Sequence, residues 1–166
     1  MKVLVACEFS GVVRDAFTAL GHKAVSCDLL PTESEGPHYV GNVLDILGEG
    51  WDLMVAHPPC THLAPIPQIC VENPISVIST KIRKPDQIIQ PYMFGHLERK
   101  TTCLWLVGLP KLVPTTDLKA ELKALPKSLQ NPLFYLPPSP DRGKKRSVTY
   151  KGIALAMASQ WSKETV

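Results

Sequence analysis

The strongest constraint on how this chain folds is the stretch WDLMVAHPPCTH at residues 51–62. Residues 53–56 are a short, unbroken apolar run, the pattern of a strand buried on both faces. The run stops at His57-Pro58-Pro59-Cys60. Proline cannot donate to a sheet ladder, so the strand ends there and the chain turns into a stiff, extended loop. The stretch therefore carries one thiol, Cys60, on a rigid hook at the carboxyl end of a central strand. That edge is where open α/β sheets bind ligands, and a thiol held there is a candidate nucleophile.

The residues before Pro31 supply a second constraint. Residues 2–6 are β-branched and apolar and read as a strand, and Cys7 to Gly11 follow as a turn. Val12, Val13, Ala16, Phe17 and Leu20 recur at helical spacing, with Gly21 as the stop. Residues 23–29 make a second strand with Asp28 near its end. This is the layout of a nucleotide-binding βαβ unit, in which the turn backs onto a helix N-terminus and the acid accepts from ribose hydroxyls. The phosphate-cradling G-x-G-x-x-G is missing, which argues against a dinucleotide and leaves room for a nucleoside cofactor lacking phosphates.

Further along, residues 39–47 read as a short strand turning at Asn42. Residues 66–71 read as another strand, ending in Glu72-Asn73-Pro74. Residues 75–90 are polar and irregular, 101–107 a strand, 118–125 one or two helical turns, and 137–145 a basic, proline-rich loop. Residues 149–161 form an amphipathic helix with Ile153, Ala156, Met157 and Trp161 on one face. The whole, 1–166, is expected to be one α/β domain. One feature resists: only THLAP separates Cys60 from Ile66, whereas parallel neighbours need a crossover of roughly a dozen residues or more. Either the chain is truncated here or a flexible segment is left out of its numbering, and the second is favoured.

Composition narrows the function classes. Eighteen Lys and Arg against fifteen Asp and Glu give a net charge of +3, which permits a nucleic-acid partner without arguing for one. No apolar run approaches the ~20 residues of a membrane span, and MKVLVACEF reads as a first strand rather than a signal peptide. Five cysteines, at 7, 27, 60, 70 and 103, with no C-x-x-C, indicate a reduced, cytosolic protein. Cys7, Cys27, Cys70 and Cys103 lie in or beside apolar strands and are expected in the core. His57, Cys60 and His62 are metal-ligand types, yet the prolines constrain them and no second pair follows at ligand spacing, so no metal is expected. The basic run from Arg142 to Arg146 reads as a solvated face.

With these motifs in this order, the chain resembles the cytosine-C5 DNA methyltransferases, and among them the small phage and prophage members. The resemblance runs over residues 2–107, with a fainter echo in the final helix. Phe9-Ser10-Gly11 looks like the family's Phe-x-Gly cofactor turn. Asp28, with Leu29 beside it, matches the acid used on the ribose of S-adenosylmethionine. Gly41-Asn42-Val43 stands where the family has Gly-Asp-Ile beside the adenine. Pro59-Cys60 matches the Pro-Cys nucleophile, and Glu72-Asn73-Pro74 the Glu-Asn-Val.

The resemblance implies a Rossmann-like S-adenosylmethionine-dependent methyltransferase fold, with a mostly parallel sheet and flanking helices. It implies methylation of C5 of a cytosine flipped out of DNA, in the cytoplasm of a bacterium or phage-infected cell. In that chemistry Cys60 adds to C6 of the ring, and Glu72, its pKa raised by an apolar pocket, assists at N3. Phe9, Ser10, Gly11, Asp28, Leu29, Asn42, Val43, His57 and Pro59 would hold the cofactor, and Asn73, Pro74 and Lys100 the substrate. The family's Gln-x-Arg-x-Arg is missing, with Lys100 as a stand-in. An irregular stretch stands where the family inserts its target-recognition domain, which leaves three routes: a protein partner for recognition, action with little specificity, or a different nucleic-acid substrate. The rival readings are a catalytically inactive binding or regulatory protein with this fold, and a C5 pyrimidine-modifying enzyme acting on nucleotide or RNA.

Overall fold

The computed structural model describes residues 1–57, 67–74, 79 and 83–162. In it β1 (Lys2–Ala6) leads into α1 (Val12–Ala19), followed by β2 (Lys23–Asp28) and β3 (His38–Val40). A single 3-10 turn at Val43–Asp45 precedes β4 (Leu53–Ala56), β5 (Gln68–Asn73), β6 (Gln87–Ile89) and β7 (Thr102–Val107). Short helices follow: α2 (Lys119–Ala124), α3 (Lys127–Gln130), α4 (Pro132–Tyr135) and α5 (Arg142–Ser147), then the longer α6 (Lys151–Trp161).

The strands make one seven-stranded sheet in the order β3-β2-β1-β4-β5-β7-β6. The pairs β1–β2, β2–β3, β1–β4 and β4–β5 are parallel, while β7 runs antiparallel to both β5 and β6. The α/β, mostly parallel class expected from the sequence is therefore what the chain adopts. β1 has β2 on one side and β4 on the other, so the chain winds outward in both directions from that pair. A crevice opens above the carboxyl ends at such a switch point.

Both faces of the central strands are buried, as their unbroken apolar runs require. Val3, Val5, Leu53, Val55 and Cys70 face one core together with Val13, Phe17, Ile153 and Met157 of the helices. The alternate residues Leu4, Ala6, Met54, Ala56 and Ile69 face a second core closed by Ile46 and Trp51. The β4–β5 link carries the missing-crossover expectation, and residues 58–66 lie outside the described residues.

Several elements differ from the sequence expectation. The 66–71 strand sits later, at Gln68–Asn73, so Glu72 lies within the ladder, opposite Leu104 of β7. The 39–47 strand shortens to β3 plus the 3-10 turn, because Asn42 accepts from Leu44 N (3.1 Å) and caps that turn. β6 forms inside the stretch read as irregular, and α5 starts in the stretch read as loop and runs two residues past it. On α6, Ala154 and Ala158 are buried as well as the four residues of the expected stripe, because the helix packs against α1 as well as on the core.

Gly152 shows how closely α6 docks. Its N–H donates to His96 Nε2 at 2.9 Å, and a Cβ built there would meet Phe94 O at 1.9 Å. Gly152→Ala is expected to destabilise the protein by about 2–3 kcal/mol, lowering Tm by roughly 5–10 °C in a thermal melt. Gly48→Ala, where a Cβ meets nothing within 4 Å, should leave Tm within about 2 °C.

Candidate functional site

The carboxyl ends of β1, β4 and β5 converge on two adjoining cavities. The first, about 390 Å³, is lined among others by Cys7, Glu8, Phe9 and Ser10 after β1, Asp28 at the end of β2, and Lys144 of α5. The second, about 480 Å³, is lined by Glu72, Asn73 and Pro74 of the β5 tip, by Arg99 and Lys100, and by Arg146 of α5. His57, Gly143 and Ser147 line both. His57 is thus in the wall between them.

Register explains why His57 meets Glu72. Ala56 pairs with Val71 across the parallel β4–β5 ladder, so the next residue on each strand, 57 and 72, stands on the opposite sheet face and side by side. His57 Nδ1 lies 2.6 Å from Glu72 Oε2, and Thr149 Oγ1 donates to the same oxygen at 3.1 Å. Both side chains are nearly shut off from water, at 11% and 7% exposure. Burial pushes the Glu72 carboxyl up, but the hydrogen bond and charge of His57, with Lys100 and Thr149 behind them, hold it below its ordinary value. Burial likewise opposes a charge on His57, and Glu72 overrides it, raising the imidazole pKa. This corrects the expectation of a raised Glu72 pKa: the hydrogen bond and charge of His57 outweigh the burial.

Glu8 decides what the first cavity can hold. Its carboxylate accepts from Val13 N at 2.7 Å and Arg14 N at 3.3 Å, occupying the N-terminal amides of α1. In dinucleotide folds those amides bind the pyrophosphate. Here the protein's own anion takes them, and a phosphate would face that charge. Asp28 turns one oxygen to Leu30 N at 2.9 Å; its other oxygen has no hydrogen bond among the described residues and is available to hydroxyls. Cys7 closes β1 in a left-handed conformation, φ 58°, and is half-buried beside the cavity rather than in the core as expected. Cys27, Cys70 and Cys103 are buried.

No family model and no curated protein matches the chain. The site therefore rests on its own geometry. Among the described residues no helix is long and apolar enough to cross a membrane, and no three His, Cys, Asp or Glu side chains gather to hold a metal.

Of the expected cofactor residues, the structure brings together Phe9, Ser10, Asp28 and His57. Gly11 is not in the wall: at φ 73° it caps α1, and a Cβ there would strike Ser34 Oγ at 2.1 Å. Its glycine is required by the packing of the Ser34 loop. Leu29 points away, 76% exposed, and Leu30 lines the cavity instead. Asn42 and Val43 are absent from both linings, Asn42 being spent on its cap and Val43 packing against the second core. Asn73, Pro74 and Lys100, the expected substrate residues, line the second cavity. Lys100 Nζ donates to Val148 O at 3.0 Å, and burial lowers its pKa. Pro59 and Cys60 lie outside the described residues.

Sequence reasoning missed Glu8, Thr149, Arg99 and the place of α5. The basic run Arg142–Arg146 is largely solvated, as expected, yet it also closes over the mouths of both cavities. An acid two residues after a first strand and three before the glycine that caps the helix was a readable signal for Glu8. Nothing local marks Thr149, which reaches Glu72 across 77 positions of sequence.

Proposed function

We propose that this protein transfers a methyl group from S-adenosylmethionine to C5 of cytosine in DNA, with Cys60 as nucleophile and Glu72 as the group that works at N3. The observation that carries the reading is the pair of adjoining cavities divided by His57, one carrying Asp28 and the other Glu72. A methyl donor and an acceptor base need that arrangement, two sites meeting at one wall. The mostly parallel, doubly wound sheet is compatible with the methyltransferase fold that the sequence resembles.

The first cavity fits a phosphate-free nucleoside. Its volume lies within the usual range for small ligands, about 300–1,000 Å³. Glu8 has taken the amides a phosphate would need, Asp28 offers an acceptor to ribose hydroxyls, and the Phe9 ring gives an apolar wall. When bound, S-adenosylmethionine supplies an electrophilic methyl group on sulfur.

The remaining chemistry belongs to the chain. Cytosine C5 is a poor nucleophile. The Cys60 thiolate forms a bond to C6, the displaced electron pair moves toward N3, and N3 takes a proton from the Glu72–His57 pair. C5 of the resulting enamine is then nucleophilic enough to take the methyl, the S–CH3 bond breaking with its electron pair left on sulfur as a neutral thioether. Loss of the C5 proton to solvent and cleavage of the C6–S bond restore the aromatic ring and the thiolate, and N3 returns its proton to the Glu72–His57 pair. Lys100, beside Glu72, adds positive charge near the ring edge where negative charge builds.

Titration calorimetry with S-adenosylmethionine tests the first step. Binding is expected in wild type, and Asp28→Ala should weaken it by about tenfold or more, the loss of a charge-assisted hydrogen bond. If S-adenosylmethionine does not bind wild type, the reading fails whatever the fold.

A further inference from the structure

The second cavity has an outer rim that the chemistry above does not use. Phe134 stands there 72% exposed, its ring held edge-to-face on Tyr135 at 5.2 Å. Arg142 Nη2 donates to Phe134 O at 3.4 Å and ties α4 to α5. Arg99 and Arg146 flank the same opening, and neither guanidinium is ion-paired among the described residues. Inside, Glu72 is paired with His57 at 2.6 Å, and beside that pair the lining carries Arg99, Lys100 and Arg146. The opening joins positive charge to a bare aromatic face.

That combination selects its ligand. Phosphates recognise the arginines in any polynucleotide, but a duplex hides the faces of its bases and shows only their edges. Only an unpaired strand offers a ring face to stack on Phe134. We infer that Phe134, Arg99 and Arg146 grip an unpaired polynucleotide strand, with a base neighbouring the target stacked on Phe134 and its phosphates on the two arginines. The inference rests on the proposed function only in taking the second cavity as the nucleobase site. It gives that function a substrate: cytosine in single-stranded nucleic acid, with no duplex to open.

The test is fluorescence anisotropy with labelled single-stranded DNA, single-stranded RNA of the same sequence and the DNA duplex, across a salt series and without methyl donor. One of the single strands should bind at least tenfold tighter than the duplex, and comparison of the DNA and RNA arms shows which sugar is preferred. Phe134→Ala should weaken strand binding by about 5- to 100-fold with the salt slope unchanged, and Phe134→Trp should restore it. Arg146→Gln and Arg99→Gln should each reduce the slope of log K against log[salt] by about 0.7. Phe134 is exposed, so an unchanged thermal melt certifies that its variant folds. Duplex binding as tight as strand binding, or unchanged affinity in Phe134→Ala, overturns the inference. Because no donor is present, either result leaves the calorimetric test of S-adenosylmethionine standing, and failure of that test leaves the strand grip standing.

Discussion

Cys60→Ser is expected to abolish methyl transfer while leaving S-adenosylmethionine affinity within about threefold. A serine hydroxyl is almost wholly protonated at neutral pH and is not a soft nucleophile, whereas a thiol supplies a usable thiolate fraction. Without attack at C6, C5 never becomes an enamine, and no later step can compensate. Losses of an enzymic nucleophile run to several orders of magnitude; about 10⁴-fold or more is expected here. The measurement is transfer of a tritiated methyl to single-stranded and duplex DNA. A second readout isolates the covalent step. On DNA carrying 5-fluorocytosine, C5 bears fluorine instead of hydrogen after methyl transfer, so no proton can leave and the C6–S bond cannot break. Wild type should form a band stable in denaturing gels, and Cys60→Ser none. Transfer by Cys60→Ser at the wild-type rate would end the covalent reading. Transfer without trapping would point instead to a methylation that bypasses C6.

Much of the frame behind this prediction is written locally. The β1–α1–β2 unit follows from apolar periodicity and one glycine stop, and the β4 run announces a strand buried on both faces, which it is. What the sequence does not carry is direction and partnership. Residues 101–107 read as a strand, but nothing in a period-two pattern says that β7 runs against its neighbours. β6 is three residues in a polar context, and its ordering comes from outside the strand. Gln87 bonds the backbone of Leu112 through both ends of its amide, and the carboxylate of neighbouring Asp86 accepts from Leu106 N at 2.6 Å. Tertiary contacts override propensity there.

The candidate site divides in the same way. Asp28 and Glu72 were legible as candidates because each is an acid at the carboxyl end of an apolar run. Asn42 was misleading for the opposite reason. An amide beside a turn has a ready local use as a cap, and the chain takes it. His57 was legible as a site residue but not in its role. Assigning it to Glu72 needs the β4–β5 register, and register is fixed by which faces are buried across the sheet rather than by either strand alone.

That register sets the second large effect, which is one of pH. A carboxylate–imidazolium pair and a carboxylic acid–imidazole pair are the same species with the proton moved, so the dyad donates to N3 as long as it holds that proton. His57 holds it to higher pH than a free imidazole would, because Glu72 raises its pKa above the ordinary 6.5. Transfer should therefore fall off only on the alkaline side of 6.5. In His57→Gln the charge that keeps the Glu72 carboxyl low is gone and burial pushes it up, with Lys100 and Thr149 still opposing. The proton then depends on a lone carboxyl, so the alkaline limb moves to lower pH and transfer at pH 8 drops by about 10²-fold. Glu72→Gln, which cannot donate at any pH, should lose about 10²–10⁴-fold throughout. Stability gives an independent check. His57, with its folded pKa raised, contributes fully below 6.5 and loses that contribution as pH rises through the folded value. Glu72, with its folded pKa lowered, contributes above its ordinary 4.5 and loses it as pH falls through the folded value. The stability gap between wild type and His57→Gln should thus be widest between 4.5 and 6.5, up to about 3 kcal/mol in urea melts, and narrower at pH 8.5. An alkaline limb in His57→Gln that coincides with wild type would mean that Glu72 works alone and that the histidine merely fills the wall.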